Sequence, residues 1–114
     1  MRAPVMQWQI VTTDPDRIGK FYGDLFGWQI SANNSLGYRE VTTGSLKGGV
    51  WPSPPGAPSF VQLFVGVADV EASVATALGM GAKLIVPVTV LPDGDVMAVL
   101  SDPAGVTFGL MPAK

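Results

Sequence analysis

The feature that most constrains this chain is a strand-to-helix unit that occurs twice, with the same order of elements. Gln7 and Asp14 mark this unit in the first half, and Gln62 and Asp69 mark it in the second. The two glutamines are 55 residues apart, and so are the two aspartates. Each Asp suits a helix N-cap, because its carboxylate can accept backbone N–H groups of the first helical turn. A matched internal offset is typical of a duplicated supersecondary unit. We therefore predict two similar modules.

An apolar helix pattern follows each cap. In the first helix an apolar residue recurs at helical spacing over 18–26, which predicts one apolar face that packs against Met6, Trp8 and Ile10. The predicted fold class is α+β, with two tandem βαβββ modules whose curved mixed sheets surround a concave pocket. Three strand-like runs follow each helix, near residues 28–32, 36–43 and 46–51, and near residues 82–91, 95–101 and 105–111.

A proline-rich segment separates the two halves. Residues 52–58 contain four prolines, which leave little capacity for regular structure. We therefore predict one domain over residues 1–114, with a first module of about 1–51, a linker of about 52–58 and a second module of about 59–114. A chain of 114 residues is long enough to bury a core without disulfides.

Composition excludes several kinds of chemistry. The chain has no cysteine and no histidine, which excludes disulfides, thiolate metal sites and Ser-His-Asp or Cys-His nucleophile systems. The seven basic residues are scattered and the formal charge is −2, so neither nucleic acid nor an anionic membrane is expected as a partner. Without a signal-like or membrane-spanning segment, a cytoplasmic protein is expected. The apolar share of 47% predicts a covered surface, and we expect a homodimer.

Strand alternation places a second set of side chains on the sheet face that points away from the helices. Amide, aromatic, hydroxyl and thioether groups on one face suit an organic ligand with a few polar groups. The alternative is that the glutamines lie on a solvated sheet surface. The predicted ligand-binding residues are Gln7 and Gln9 on the first strand, Phe60, Gln62 and Phe64 on the fifth, and Thr107 and Met111 on the last.

Three segments carry a resemblance to a known superfamily. They are residues 14–17 (Asp-Pro-Asp-Arg), residues 21–28 (Phe-Tyr-Gly-Asp-Leu-Phe-Gly-Trp) and residues 102–110 (Asp-Pro-Ala-Gly-Val-Thr-Phe-Gly-Leu). With two βαβββ units in this order, the chain resembles the vicinal oxygen chelate superfamily. That superfamily includes glyoxalase I, extradiol dioxygenases, fosfomycin-resistance enzymes and bleomycin-resistance proteins. The chain is most similar to bacterial glyoxalase-like proteins.

The resemblance implies four metal ligands on strands of both modules, and this chain departs from that set. The corresponding positions carry Gln7 in the first strand, Gln62 in the second module and Gly109 after the final turn, and residues 49–51 of the fourth strand offer no carboxylate or imidazole. Two neutral amides and a glycine supply no charge to offset the dehydration of a divalent cation. We therefore expect no metal site and no cofactor.

Three functions remain open at this point. The missing metal ligands favour a metal-free protein that binds a small organic molecule. The second function is that of a metal-dependent lyase, isomerase or dioxygenase of the glyoxalase type, using Gln7 with Glu40 as a catalytic carboxylate. A lone glutamate is more often a solvated strand residue, however. The third is a dimeric interaction module without a ligand, in which Trp8, Trp28 and Trp51 act as core or interface anchors.

Overall fold

The computed structural model describes residues 2–113, which fall into two compact units. Module one is Gln7–Val61, and module two contains residues 62–113 together with residues 2–6. Along the chain the elements are β1 (Val5–Thr12), α1 (Pro15–Phe26), β2 (Gln29–Ile30), β3 (Arg39–Thr42) and β4 (Lys47–Pro52), followed by β5 (Phe60–Val67), α2 (Val70–Gly79), β6 (Lys83–Val90), β7 (Val96–Ser101) and β8 (Thr107–Pro112).

Each module contains a four-stranded mixed sheet with the same strand order. In module one the order is β2-β3-β4-β1, with β1 parallel to β4 and the remaining pairs antiparallel. In module two the order is β5-β8-β7-β6, again with one parallel pair, β5 and β8. A helix follows the first strand in both modules, so the predicted α+β class and the βαβββ repeat are confirmed.

Both helices begin at the predicted caps. The Asp14 carboxylate accepts the backbone N–H of Arg17 at 3.2 Å, and the Asp69 carboxylate accepts that of Ala72 at 3.0 Å. These bonds satisfy N–H groups that the start of a helix leaves without an intrahelical partner. Gly27 ends α1 with a φ of 72°, in the left-handed region that only glycine adopts without a Cβ penalty. The sequence therefore fixes where these helices begin.

The core of module two lies between α2 and the sheet. Val70 and Val74 of α2 are buried against Ala98 and Leu100 of β7 and Leu110 of β8. Val65 and Val67 of β5 and Phe108 of β8 pack against this cluster. The sequence alternation predicts that these residues of β5 and β8 pack against the helix, and they do, but Val61, Leu63 and Val106 of the same predicted set are 63%, 48% and 61% exposed.

The apolar face of α1 in module one is less buried than its periodicity indicates. Phe21, Leu25 and Phe26 are 54%, 58% and 57% exposed, and the buried residue of α1 is Gly19. A Cβ added at Gly19 would lie 3.3 Å from the Ile30 side chain, so α1 approaches β2 along its glycines. A periodicity count registers large apolar residues and overlooks such a glycine contact.

A ring cluster still connects α1 to the first strand. Trp8 of β1 lies 5.2 Å from Trp28 between ring centroids, and Trp28 lies 5.6 Å from Tyr22 and 5.2 Å from Phe26. Trp8 therefore projects to the α1 side of the sheet, and the alternate residues Gln7 and Gln9 project to the other side. Neither helix within residues 2–113 has the length and mean hydropathy required to cross a membrane.

Candidate ligand-binding site

The strand pairing of module one collects polar and aromatic side chains on the sheet face away from α1. Gln9 pairs with Gly49 in the parallel ladder of β1 and β4, and Glu40 pairs with the same glycine from β3. Paired residues project to the same side of a sheet, so the register identifies which side chains share this face. We call it the polar face, and it carries Gln7, Gln9, Tyr38, Glu40, Lys47 and Trp51.

Tyr38 is at the centre of the polar face. Its hydroxyl oxygen lies 3.5 Å from Gln7 Oε1 and 3.4 Å from the carbonyl oxygen of Gly48, and its ring centroid lies 4.8 Å from that of Trp51 at an interplanar angle of 47°. Burial raises the pKa of Tyr38 to about 12, and the negative charge of Glu40 adds to the increase. At neutral pH Tyr38 is therefore an uncharged phenol that can donate one hydrogen bond.

An ion pair lies at the exposed side of the polar face. Lys47 Nζ lies 3.3 Å from Glu40 Oε2, and both side chains are about half exposed or more. An exposed pair of this kind contributes little to stability, with a typical value of about 0–1 kcal/mol. The ion pair does mean that the positive charge of Lys47 compensates the negative charge of Glu40. A catalytic role for Glu40 stays a prediction.

In module two the corresponding sheet face is largely apolar. Phe64 pairs with Gly109 between β5 and β8, and Gly109 pairs with Val99 between β8 and β7. The predicted residues Gln62, Phe64, Thr107 and Met111 therefore share one face, and Phe60 precedes Gln62 by two residues on β5. We call this face the apolar face. Its side chains are those of Gln62, Phe64, Met97, Val99, Ser101, Thr107 and Met111.

Both faces contain a glycine that is covered by an aromatic ring. A Cβ added at Gly109 would overlap the ring of Phe64, and one added at Gly49 would overlap the ring and hydroxyl of Tyr38. Gly49 pairs with Gln9 and Gly109 pairs with Phe64, and those partners are again 55 residues apart, so the two glycines occupy equivalent places in the repeat. Glycine within a strand commonly marks the close approach of another group.

These positions do not fit a divalent metal ion. Gly109 stands where the superfamily has its glutamate, and a side chain there would collide with Phe64. Among residues 49–51, where the resemblance implies the fourth-strand ligand, Gly49 is blocked in the same way by Tyr38. Within residues 2–113, no three His, Cys, Asp or Glu side chains come close enough to hold a metal. Two amides without a carboxylate or imidazole are a weak donor set for Zn²⁺, Ni²⁺ or Fe²⁺.

Sequence reasoning missed three residues of the polar face. Tyr38 and Lys47 were not assigned, and Trp51 was assigned as a core or interface anchor. The pair Gly48-Gly49 within a strand was the available signal, because each glycine receives an aromatic ring, Trp8 on one face and Tyr38 on the other. A separate shallow groove on α2 is lined by small side chains and Met80, and it contains none of the predicted residues.

The two βαβββ modules with these sheets define a protein of the vicinal oxygen chelate class. A model of the family described as "Glyoxalase-like domain" matches residues 7–111, and the chain therefore belongs to this family.

Two kinds of relative accompany the family match. The sequence is 32% identical over 112 residues to the proteins named "Putative glyoxylase CFP32" of Mycobacterium bovis and Mycobacterium tuberculosis. That match covers 90% of this chain and 43% of the relatives, so the chain spans less than half of their length.

Solved structures show the same fold at low sequence identity. A glyoxalase/bleomycin resistance protein/dioxygenase superfamily member of Vibrio splendidus superposes with a TM-score of 0.67 at 14% identity, covering 98% of this chain and 100% of that one. Methylmalonyl-CoA epimerase of Mycobacterium tuberculosis superposes with a TM-score of 0.66 at 20% identity, covering 100% of this chain and 94% of the enzyme. These likenesses establish the fold.

Proposed function

We propose that this protein binds a small organic molecule on its sheet faces without a metal ion. The observation that carries the proposal is the aromatic ring over each of two equivalent glycines, Gly49 and Gly109, at positions where metal-dependent superfamily members have ligands. A ring that fills a ligand's place converts a coordination site into an apolar or hydrogen-bonding surface. The predicted ligand contacts are Gln7, Gln9, Phe60, Gln62, Phe64, Thr107 and Met111, to which the polar face adds Tyr38 and Trp51.

The burial of the glutamines favours the ligand-binding alternative and argues against a solvated sheet surface. Gln9 and Gln62 are 2% and 6% exposed. Burying an amide costs free energy unless it is hydrogen-bonded, so buried glutamines are held in defined positions and are not solvated on an open sheet. Buried amides beside aromatic rings are the combination that orients a small ligand in a largely apolar site.

A glyoxalase-type enzyme is the second candidate function. Family membership and the name of the mycobacterial relatives favour it, and Glu40 beside Tyr38 is the carboxylate that it would use. In that case the metal-dependent lyase, isomerase or dioxygenase would need a divalent ion at Gln7.

A homodimer is part of the proposal as well. The half-exposed side chains of Phe21, Leu25 and Phe26 form an apolar stripe on α1 that a second copy of the chain would cover. The third candidate function, an interaction module without a ligand, would use the same stripe. The cytoplasmic location stays a prediction from the sequence.

A thermal-shift screen of the purified chain tests metal-free binding. With EDTA present, we expect aromatic and antibiotic-like compounds to raise the melting temperature by several degrees, because a ligand at 100 times its Kd stabilises the folded state by about 2.7 kcal/mol. Metal content is measured in parallel on protein purified without a chelating resin. Stoichiometric Ni, Zn, Mn or Fe that is lost in Gln7→Ala would instead support the enzyme. If no compound raises the melting temperature and no metal is found, the interaction module without a ligand is the candidate function that remains.

A further inference from the structure

We propose that Gln7, Tyr38 and Trp51 form a subsite for an uncharged planar ring that carries a carbonyl oxygen. The inference rests on the proposed function and names the class of ligand for that site. It uses side chains of module one alone, and each of its three properties, planarity, an acceptor oxygen and the absence of charge, comes from a separate feature of the polar face.

Planarity follows from the aromatic pair. The rings of Tyr38 and Trp51 are 4.8 Å apart between centroids, and both side chains are half-buried, so each ring keeps accessible surface. Gly49 has no side chain, which lets the Tyr38 ring lie against the strand and fixes its position beside Trp51. A planar aromatic ligand gains edge-to-face or offset contacts with such a pair, which a saturated ring does not make.

The acceptor oxygen follows from the hydrogen-bonding groups around the Tyr38 hydroxyl. That hydroxyl has one proton and two neighbouring acceptors, Gln7 Oε1 at 3.5 Å and the Gly48 carbonyl oxygen at 3.4 Å. The side-chain nitrogen of Gln7 carries two N–H donors, while the Oε1 of the same amide is the atom that faces Tyr38. A ligand carbonyl oxygen beside Gln7 would accept from this amide.

The absence of charge follows from the ion pair on the same face. Tyr38 is an uncharged phenol at neutral pH, so it adds no charge to the polar face. Lys47 compensates Glu40 at 3.3 Å, so the pair leaves no net charge that would attract either an anion or a cation. The titratable groups on the polar face are Tyr38, Glu40 and Lys47, and together they favour a neutral ligand.

Three small probes test planarity and charge by isothermal titration calorimetry of the full chain with EDTA present, and a Gln7 variant tests the acceptor oxygen. Coumarin is planar, uncharged and has a carbonyl oxygen, octahydrocoumarin keeps the carbonyl without the aromatic ring, and coumarin-3-carboxylate adds a negative charge. We expect coumarin to bind about tenfold more tightly than either of the others, because octahydrocoumarin loses the aromatic contact and coumarin-3-carboxylate must give up the hydration of its charge.

Variants locate the subsite. Trp51→Leu and Gln7→Glu should each weaken coumarin binding about tenfold, since one removes a ring and the other replaces N–H donors with acceptors. Trp28→Leu is the matched control, because Trp28 packs in the ring cluster on the α1 side, and it should change the affinity less than about twofold. If Trp51→Leu does not fold, Trp51→Phe retains a ring and should keep coumarin binding, while Gln7→Glu still reports on the amide.

The outcomes distinguish this inference from the proposed function. Equal affinity for coumarin and octahydrocoumarin, or coumarin binding that is insensitive to both Trp51→Leu and Gln7→Glu, overturns the ligand class. If the coumarins do not bind but the broader screen finds another metal-independent ligand, the ligand class is wrong and metal-free binding stands. If no compound binds, both are overturned.

Discussion

The two modules have the same strand order but cover the same glycine by different means. In module one Gly49 is covered by Tyr38, a residue from the segment just before β3, whereas in module two Gly109 is covered by Phe64, its direct ladder partner on β5. Gln9 occupies the place of Phe64 in the first repeat. Both modules therefore have an open space beside the equivalent glycine, and each module fills that space with an aromatic ring from a different part of its chain.

This difference determines the chemistry of each face. A ring supplied from beside β3 leaves β1 free to carry Gln7 and Gln9, and it brings a hydroxyl onto the face. A ring supplied from β5 itself gives an apolar surface continuous with Met111 and Val99. The duplicated modules thus differ in the chemistry of the same sheet face, which is polar in one and apolar in the other. The following predictions test how far the modules differ.

The largest expected effect concerns the helix packing of the two modules. Leu100 in the core of module two is 0% exposed, so Leu100→Ala should lower the free energy of unfolding by about 2–5 kcal/mol through lost burial and a residual cavity. Phe21→Ala on the half-exposed face of α1 should cost about 1 kcal/mol or less. Urea denaturation with matched m-values measures both, and equal losses would contradict the contrast between the helices.

The second largest expected effect concerns alanine substitutions at the two covered glycines, which should destabilise the two modules by different amounts. Gly109→Ala should destabilise the protein by about 1–3 kcal/mol, because its methyl group meets the buried ring of Phe64, which cannot move outward. Gly49→Ala should cost less, because the half-buried Tyr38 ring can swing toward solvent. Phe64→Leu should reduce the cost of Gly109→Ala in a double-mutant cycle. An unchanged cost in that background would show that Phe64 is not the obstacle.

The Tyr38 phenol predicts a pH dependence specific to module one. Its folded-state pKa of about 12 lies above the ordinary tyrosine value, so its contribution to stability is complete below about pH 10 and is lost as the pH rises toward 12. The melting temperature should therefore fall over this range, and Tyr38→Phe should make the fall shallower. Tyrosinate absorbance of the two proteins gives an independent check. If the absorbance change that Tyr38→Phe removes has its midpoint at about pH 10, Tyr38 ionises with an ordinary pKa and the prediction is wrong.

The smallest expected effect concerns the ion pair beside Tyr38. Glu40→Gln should change the unfolding free energy by less than about 1 kcal/mol, as is usual for exposed pairs. It should also lower the pKa of Tyr38 slightly, because Glu40 is the second cause of the increase and burial is the first. A tyrosinate titration of this variant measures the change. A return of the Tyr38 pKa to the ordinary value would mean that charge, not burial, dominates.

The sequence was sufficient for the local features of this protein. Asp14 and Asp69 identified the starts of both helices, because a cap needs a short acceptor side chain next to the first turn. Strand alternation placed Gln62, Phe64, Thr107 and Met111 on one face, because the side-chain period of a strand depends on the backbone alone.

Only the tertiary structure decided what covers each glycine and how much of α1 is buried. The ring of Tyr38 reaches Gly49 through the register of β3 and β4, and Phe64 reaches Gly109 through that of β5 and β8. Such registers join residues far apart in sequence, and no local periodicity contains them. The glycines at the ligand positions were visible in the sequence, but the rings that replace the ligands were set by how the strands pair.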